Sequence, residues 1–126
     1  MAIVLLVGCG GFLGSVIRYL LGSFLSRSLI SNIPYPTIII NLTGSFIVGI
    51  VLSLIDSKTH PTYFYFLIPG FLGGFTTYSA FSAEAVSLIG RQLYVPALTY
   101  IFLTLSGGII LCALGMFATK IFLNQI

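Results

Sequence analysis

The chain has 126 residues, of which 58% are hydrophobic and only 6% charged, with a formal net charge of +3. So few charges cannot coat a soluble globule, and basic residues scattered singly do not make a nucleic-acid-binding surface. Since a span needs roughly 20 apolar residues, the expected fold is an all-α integral membrane protein: one domain over residues 1–126 with four transmembrane helices.

The first span is expected over about residues 2–26. It lacks the basic start and the short apolar core of a cleaved signal. Its GCGGFLGS stretch contains Gly10-x-x-x-Gly14 and Gly11-x-x-x-Ser15, small residues one turn apart that let another helix approach closely. Arg18 stands inside the span, where it must snorkel, find an acceptor or face water. Pro34 and Pro36 end the linker that follows. In the second span, about 37–55, Thr37, Asn41 and Ser45 recur every four residues and share one helical face. Asn41 needs partners for a donor and an acceptor, from another helix or in a pore. Three polar residues along one face favour the pore.

Asp56 to Pro61 is the most hydrophilic stretch, and His60 there reads as a solvated loop residue. The third span, about 63–90, contains GFLGGFTTYSAF at residues 70–81, and its glycines and threonines predict a broken helix, unwound near 73–77. Unwound backbone at bilayer depth is tolerated only where it lines a cavity, binds an ion or meets other protein. Broken helices of this kind mark ion sites in transporters. A glycine packing seam is the simpler alternative, but the hydroxyls and the rings of Tyr78 and Phe81, three residues apart, favour a site. Glu84 invites a proton-coupling role, although its closeness to the helix end favours a hydrated mouth.

The fourth span, about 96–122, opens with Pro96, tolerated in a first helical turn. Tyr100 and Thr104 lead on at the same spacing to Gly108 and Cys112, a face that begins polar and becomes small; packing by Gly107, Gly108 and Gly115 explains its second half. Cys9 and Cys112 both fall within spans and read as small buried hydrophobes. Four spans put Lys58 and Lys120 on one side and Arg27 and Arg91 on the other, with Arg18 near the latter. That balance barely selects an orientation. Two oppositely inserted copies would form an antiparallel two-fold dimer.

GGFLGSVIRY in the first span, PTIIINLTGSF in the second and GFLGGFTTYSAFS in the third carry a resemblance to the Fluc/CrcB family of fluoride ion channels. It covers essentially the whole chain, and the third motif is the most specific. The resemblance implies a passive, fluoride-selective channel of the cell membrane that lowers cytoplasmic fluoride. It also implies an antiparallel, dual-topology dimer with two pores and a central structural sodium ion. Carried onto this sequence, the sodium-binding carbonyls belong to Gly73 and Thr76. The paired pore rings map to Tyr78 and Phe81, the pore asparagine to Asn41, the first-helix arginine to Arg18, and the pore hydroxyls to Thr37 and Ser79.

Fluoride is small and strongly hydrated, so a pore must replace its water with good donors. Asn41, Thr37 and Ser79 supply such donors, and aromatic rings present positive edges. The chain departs from the family pattern at Tyr78, where phenylalanine is usual. The polar track of its fourth span, mapped to Tyr100 and Thr104, gives way to Gly108 and Cys112. Some family members pair two different chains, so a heteromeric channel is an alternative to the homodimer. A small dual-topology multidrug exporter is another; it needs a membrane carboxylate, for which Glu84 is the only candidate in any span. No nucleophile–base or metal-ligand cluster suggests an enzyme.

Overall fold

A computed structural model describes residues 1–29 and 31–124, and these are helical, with no strand among them. In chain order the elements are α1 (Ala2–Ser28), α2 (Tyr35–Leu54), α3 (Pro61–Tyr65), a π-helical stretch (Phe66–Leu72), α4 (Gly73–Phe75), α5 (Tyr78–Gly90) and α6 (Tyr94–Leu123). Helices α1, α2 and α6 are long and apolar enough to cross a membrane. Their outer faces are as apolar as their inner ones: Phe12, Val95 and Ile109 are about 70% exposed. Such a surface meets lipid or protein rather than water.

Two starts fall earlier than the sequence suggests, α2 at Tyr35 and α6 at Tyr94. Pro36 and Pro96 sit in their first turns, where a missing N–H costs no hydrogen bond. The third region begins at Pro61 for the same reason. Between α5 and α6 the turn is closed by Gln92 at φ 60°, with Leu93 N–H donating to Leu88 O at 2.9 Å.

Pro69 explains the π-helical stretch. It has no N–H for the carbonyl four residues back, and the helix widens around it: Gly73 N–H reaches Ile68 O, five residues earlier. Helical geometry then resumes, and the expected unwinding of residues 73–77 is confined to Thr76 and Thr77, both extended (ψ 155° and 112°). Gly73 keeps ordinary helical dihedrals. The reason is packing. α1 lies directly on this backbone: a Cβ at Gly10 would strike Phe66 O and Phe71 N, and one at Gly14 would strike Phe71 O and Phe75 N. The spacing of small residues in α1 thus holds α4 helical up to the threonines. On the other side Gly49 and Gly115 bring α2 and α6 into backbone contact at Cys112 O and Phe46 O. Gly107 and Gly108 instead face the Leu42 and Ser45 side chains. A buried cluster of Ile38, Phe81, Ala85, Leu88, Ala97 and Tyr100 ties α5 to α2 and α6.

Candidate functional site

An interrupted helix releases backbone groups that must find partners elsewhere. In an unbroken helix Thr77 N–H would donate to Gly73 O. Here it donates to Asn41 Oδ1 at 2.8 Å, while Asn41 Nδ2 donates to Thr77 O at 3.1 Å. The Asn41 amide thereby replaces a neighbouring backbone for the extended residue. Gly74 O, which would have accepted from Tyr78, accepts from Arg18 Nε at 3.0 Å and Ser15 Oγ at 3.4 Å. Arg18 therefore neither snorkels freely nor stands alone. Thr77 Oγ1 caps α5 by accepting from Ala80 N–H at 3.2 Å. Because Thr77 and Ala80 N–H groups are engaged in these ways, the carbonyls of Gly73 and Thr76 lose their helical donors.

Two cavities flank this junction. The larger, about 870 Å³, is lined by Arg18, Ser23, Arg27, Thr37, Thr77 and Glu84 among others. Glu84 faces it, as a mouth residue would. Its carboxylate is also anchored: Oε1 accepts from Thr37 Oγ1 at 2.9 Å and Oε2 from the Tyr100 hydroxyl at 2.6 Å. Tyr100 has no exposed surface.

The smaller cavity, about 270 Å³, is lined by Asn41, Ser45, Tyr78, Phe81, Thr104 and Cys112 among others. The Tyr78 and Phe81 rings lie 5.7 Å apart, tilted by 43°. Tyr78 is 76% exposed and Phe81 only 6%, because Phe81 packs on Tyr100 at 5.3 Å. The Thr104 hydroxyl is buried and has no hydrogen-bond partner among the described residues. Thr77 lines both cavities, and its partner Asn41 lines the smaller.

The residues singled out from the sequence thus fall into groups. Arg18 and Thr37 belong to the larger cavity, and Asn41, Tyr78, Phe81 and Thr104 to the smaller. Thr37, Asn41 and Ser45 share a face but not a compartment. Tyr100 lies beneath Glu84 and lines neither cavity, and Ser79 is exposed beside Thr77, 3.3 Å between hydroxyls, and also lines neither. Sequence reasoning missed the tie from Thr37 through Glu84 to Tyr100, and the parts of Ser15 and Thr77. Polar side chains isolated in otherwise apolar spans were the available signal.

Comparison with known proteins shows the family of the chain. Residues 5–116 match the family described as CrcB-like protein, Camphor Resistance (CrcB). A relative from Chlorobium chlorochromatii (strain CaD3), named fluoride-specific ion channel FluC, is 42% identical over 121 residues, covering 93% of this chain and 92% of that one. Proteins of the same name from Rhizobium meliloti (strain 1021) and Methanococcus aeolicus are similar too. The first is 43% identical over 78% of this chain and 80% of its own length, the second 39% over 89% and 90%. With a family match over nearly its whole length and relatives of this similarity, the chain belongs to the CrcB-like family of membrane proteins.

Proposed function

We propose that this protein is a passive, fluoride-selective anion channel of the cell membrane. The observation that carries the reading is the pair of donor-lined cavities that share Thr77, the extended residue paired with Asn41 at the helix interruption. The names of its relatives give the anion. α3 to α5 together make the third of four crossings, a single span broken at Thr76–Thr77. Two copies insert in opposite directions, and each smaller cavity, open on one side in a single subunit, is closed by the partner to make a pore.

The physical argument follows the anion. A strongly hydrated fluoride gives up water only to donors of comparable strength. Asn41 keeps one N–H beyond the one given to Thr77, and Ser45 and Thr104 add hydroxyls along the same cavity. The edges of Tyr78 and Phe81 contribute positive quadrupole without full charge. Several weak stations allow release, which conduction requires as much as binding. Glu84, held on both oxygens by the Thr37 and Tyr100 hydroxyls, is fixed in the wall of the larger cavity.

A sodium ion fits the same frame. The Gly73 and Thr76 carbonyls, released from helical bonds, are hard oxygen donors of the kind a hard cation takes. Such an ion would supply positive charge and rigidity at the seam between subunits. Within one subunit the interruption is held by Asn41, Arg18 and Ser15.

The deciding experiment is fluoride efflux from liposomes containing this chain alone, read by a fluoride electrode with chloride as control. Rapid fluoride release with chloride retained is the expected result. No release from folded protein would refute a self-sufficient channel and point to a heteromeric pair or to a multidrug exporter. Glu84→Gln separates the last two: an exporter loses activity with its only membrane carboxylate, whereas a partner-dependent channel keeps most of its flux once paired.

A further inference from the structure

The smaller cavity is a slot between two helices. Along α2 its wall runs from Asn41 through Ser45 to Val48, and along α6 from Thr104 through Leu105 to Cys112. Cys112 stands eight positions after Thr104, roughly 12 Å further along the axis. A volume of about 270 Å³ drawn out over that length leaves a narrow bore. Contacts fix both ends: Asn41 is bonded to Thr77 at one, and at the other Gly49 lets α2 meet the Cys112 carbonyl. Gly108, between Thr104 and Cys112, sends no side chain into the gap. A Cβ there would meet only Ser45 Oγ, at 3.4 Å, among the described residues.

Thr104 marks this slot as a place that takes a solute. It is 9% exposed, and its hydroxyl has no partner among the described residues. A buried hydroxyl is costly until something bonds it, so its partner arrives with whatever fills the slot. Cys112 borders the same space and is only partly buried. A cysteine packed among apolar side chains is inert, whereas one that borders a filled slot is a nucleophile within reach. We propose that Cys112 is a modification site for small, uncharged sulfur electrophiles, and that the mixed disulfide it forms plugs the slot against fluoride. The plug rests on the channel reading; the modification does not. With methyl methanethiosulfonate as the reagent, the Cys112 thiolate attacks the methylthio sulfur. A new S–S bond forms as the bond to the sulfonyl sulfur breaks, and methanesulfinate leaves with the electron pair. The thiol proton passes to buffer. The thiol is oxidised to a disulfide, the reagent supplies the oxidising equivalent, and dithiothreitol reverses the step by exchange.

The test has a labelling readout and a transport readout. Cys9, the other cysteine, is exposed on α1 and lines neither cavity, so Cys9→Ser isolates Cys112. Folded Cys9→Ser protein in detergent is treated with methyl methanethiosulfonate or with a bulky biotin-linked thiosulfonate, and its mass is followed. The small reagent is expected to add one methylthio group to the folded protein, and the bulky one to add only after unfolding. No addition of the small reagent to folded protein would overturn the site. Equal rates for the two reagents would overturn the placement of the thiol in a narrow slot. Fluoride efflux from liposomes is then measured before treatment, after it, and after dithiothreitol. Cys9→Ser protein should lose nearly all its flux and regain it on reduction, while Cys112→Ser should keep the flux it shows before treatment. Unchanged flux in Cys9→Ser protein that carries the label would overturn the plug. If the untreated natural protein releases no fluoride, the channel reading fails while the mass comparison still decides the site.

Discussion

Asn41 gives the sharpest test of the junction. Its side chain makes two hydrogen bonds to one extended residue, Thr77 N–H to Oδ1 at 2.8 Å and Nδ2 to Thr77 O at 3.1 Å. Asn41→Ala removes both and leaves a backbone donor and acceptor unpaired within the apolar region. Hydrogen bonds between membrane helices average only about 0.6 kcal/mol, because freed side chains find other partners. Backbone groups locked in an interruption cannot turn to do so, and each unsatisfied group costs about 1–3 kcal/mol. The expected loss is therefore about 2–6 kcal/mol for the pair. Asn41→Asp keeps an acceptor for Thr77 N–H but sets a carboxylate oxygen against Thr77 O, so it should destabilise and also repel a passing anion. Ser45→Ala, on the same cavity wall, is the control for the unfolding comparison alone, since no hydrogen bond to the interruption is lost with it. The assay is reversible denaturant unfolding in detergent, followed by fluoride efflux from liposomes. An Asn41→Ala midpoint equal to that of the natural protein would refute the claim that this amide holds the interruption. Normal conduction by Asn41→Asp would remove Asn41 from the anion path.

Gly14→Ala should destabilise by about 1–3 kcal/mol or prevent folding, because its methyl would meet the Phe71 and Phe75 backbone. Gly8→Ala, with nothing within 4 Å of the added carbon, should unfold like the natural protein. Phe81→Ile should cut fluoride flux sharply, while losing about 0.5–1.5 kcal/mol of ring packing against Tyr100; unchanged flux in efflux assays would take the ring out of the mechanism. A cysteine replacing Lys58, in the α2–α3 connection, should label with impermeant reagent from both faces of the membrane in a background free of Cys9 and Cys112. Labelling from one face only would sink the antiparallel dimer.

Much of the helical course was legible because apolar runs and prolines fix it locally. Pro36 and Pro61 shift helix starts by two residues at most, and the threonines at 76 and 77 mark the interruption by their own extended preference and capping chemistry. What could not be read was tertiary. Gly73–Phe75 carry a glycine pair that suggests unwinding, yet they remain helical where α1 packs on them through Gly11 and Gly14. The π-helical stretch has a local cause in Pro69. Glu84 looked like an isolated carboxylate because its partners, Thr37 and Tyr100, lie 47 and 16 residues away.

Polar residues in an apolar chain invite a single explanation, that each faces the transported ion. Their hydrogen bonds divide them instead. Ser15, Arg18 Nε, the Asn41 oxygen and one of its N–H groups are consumed by backbone that the interruption released. The Thr37 and Tyr100 hydroxyls are consumed by Glu84. Donors left for an anion are the second Asn41 N–H, Ser45, the unpartnered Thr104 hydroxyl and the outer N–H groups of Arg18. The interruption therefore places Asn41 at both tasks at once: it can present a donor to the smaller cavity only because its other atoms are fixed to Thr77. A donor so fixed cannot collapse onto the ion and trap it. In the proposed channel, that rigidity suits weak, quickly reversed contacts, and the helix break serves the anion path rather than being a by-product of glycine content.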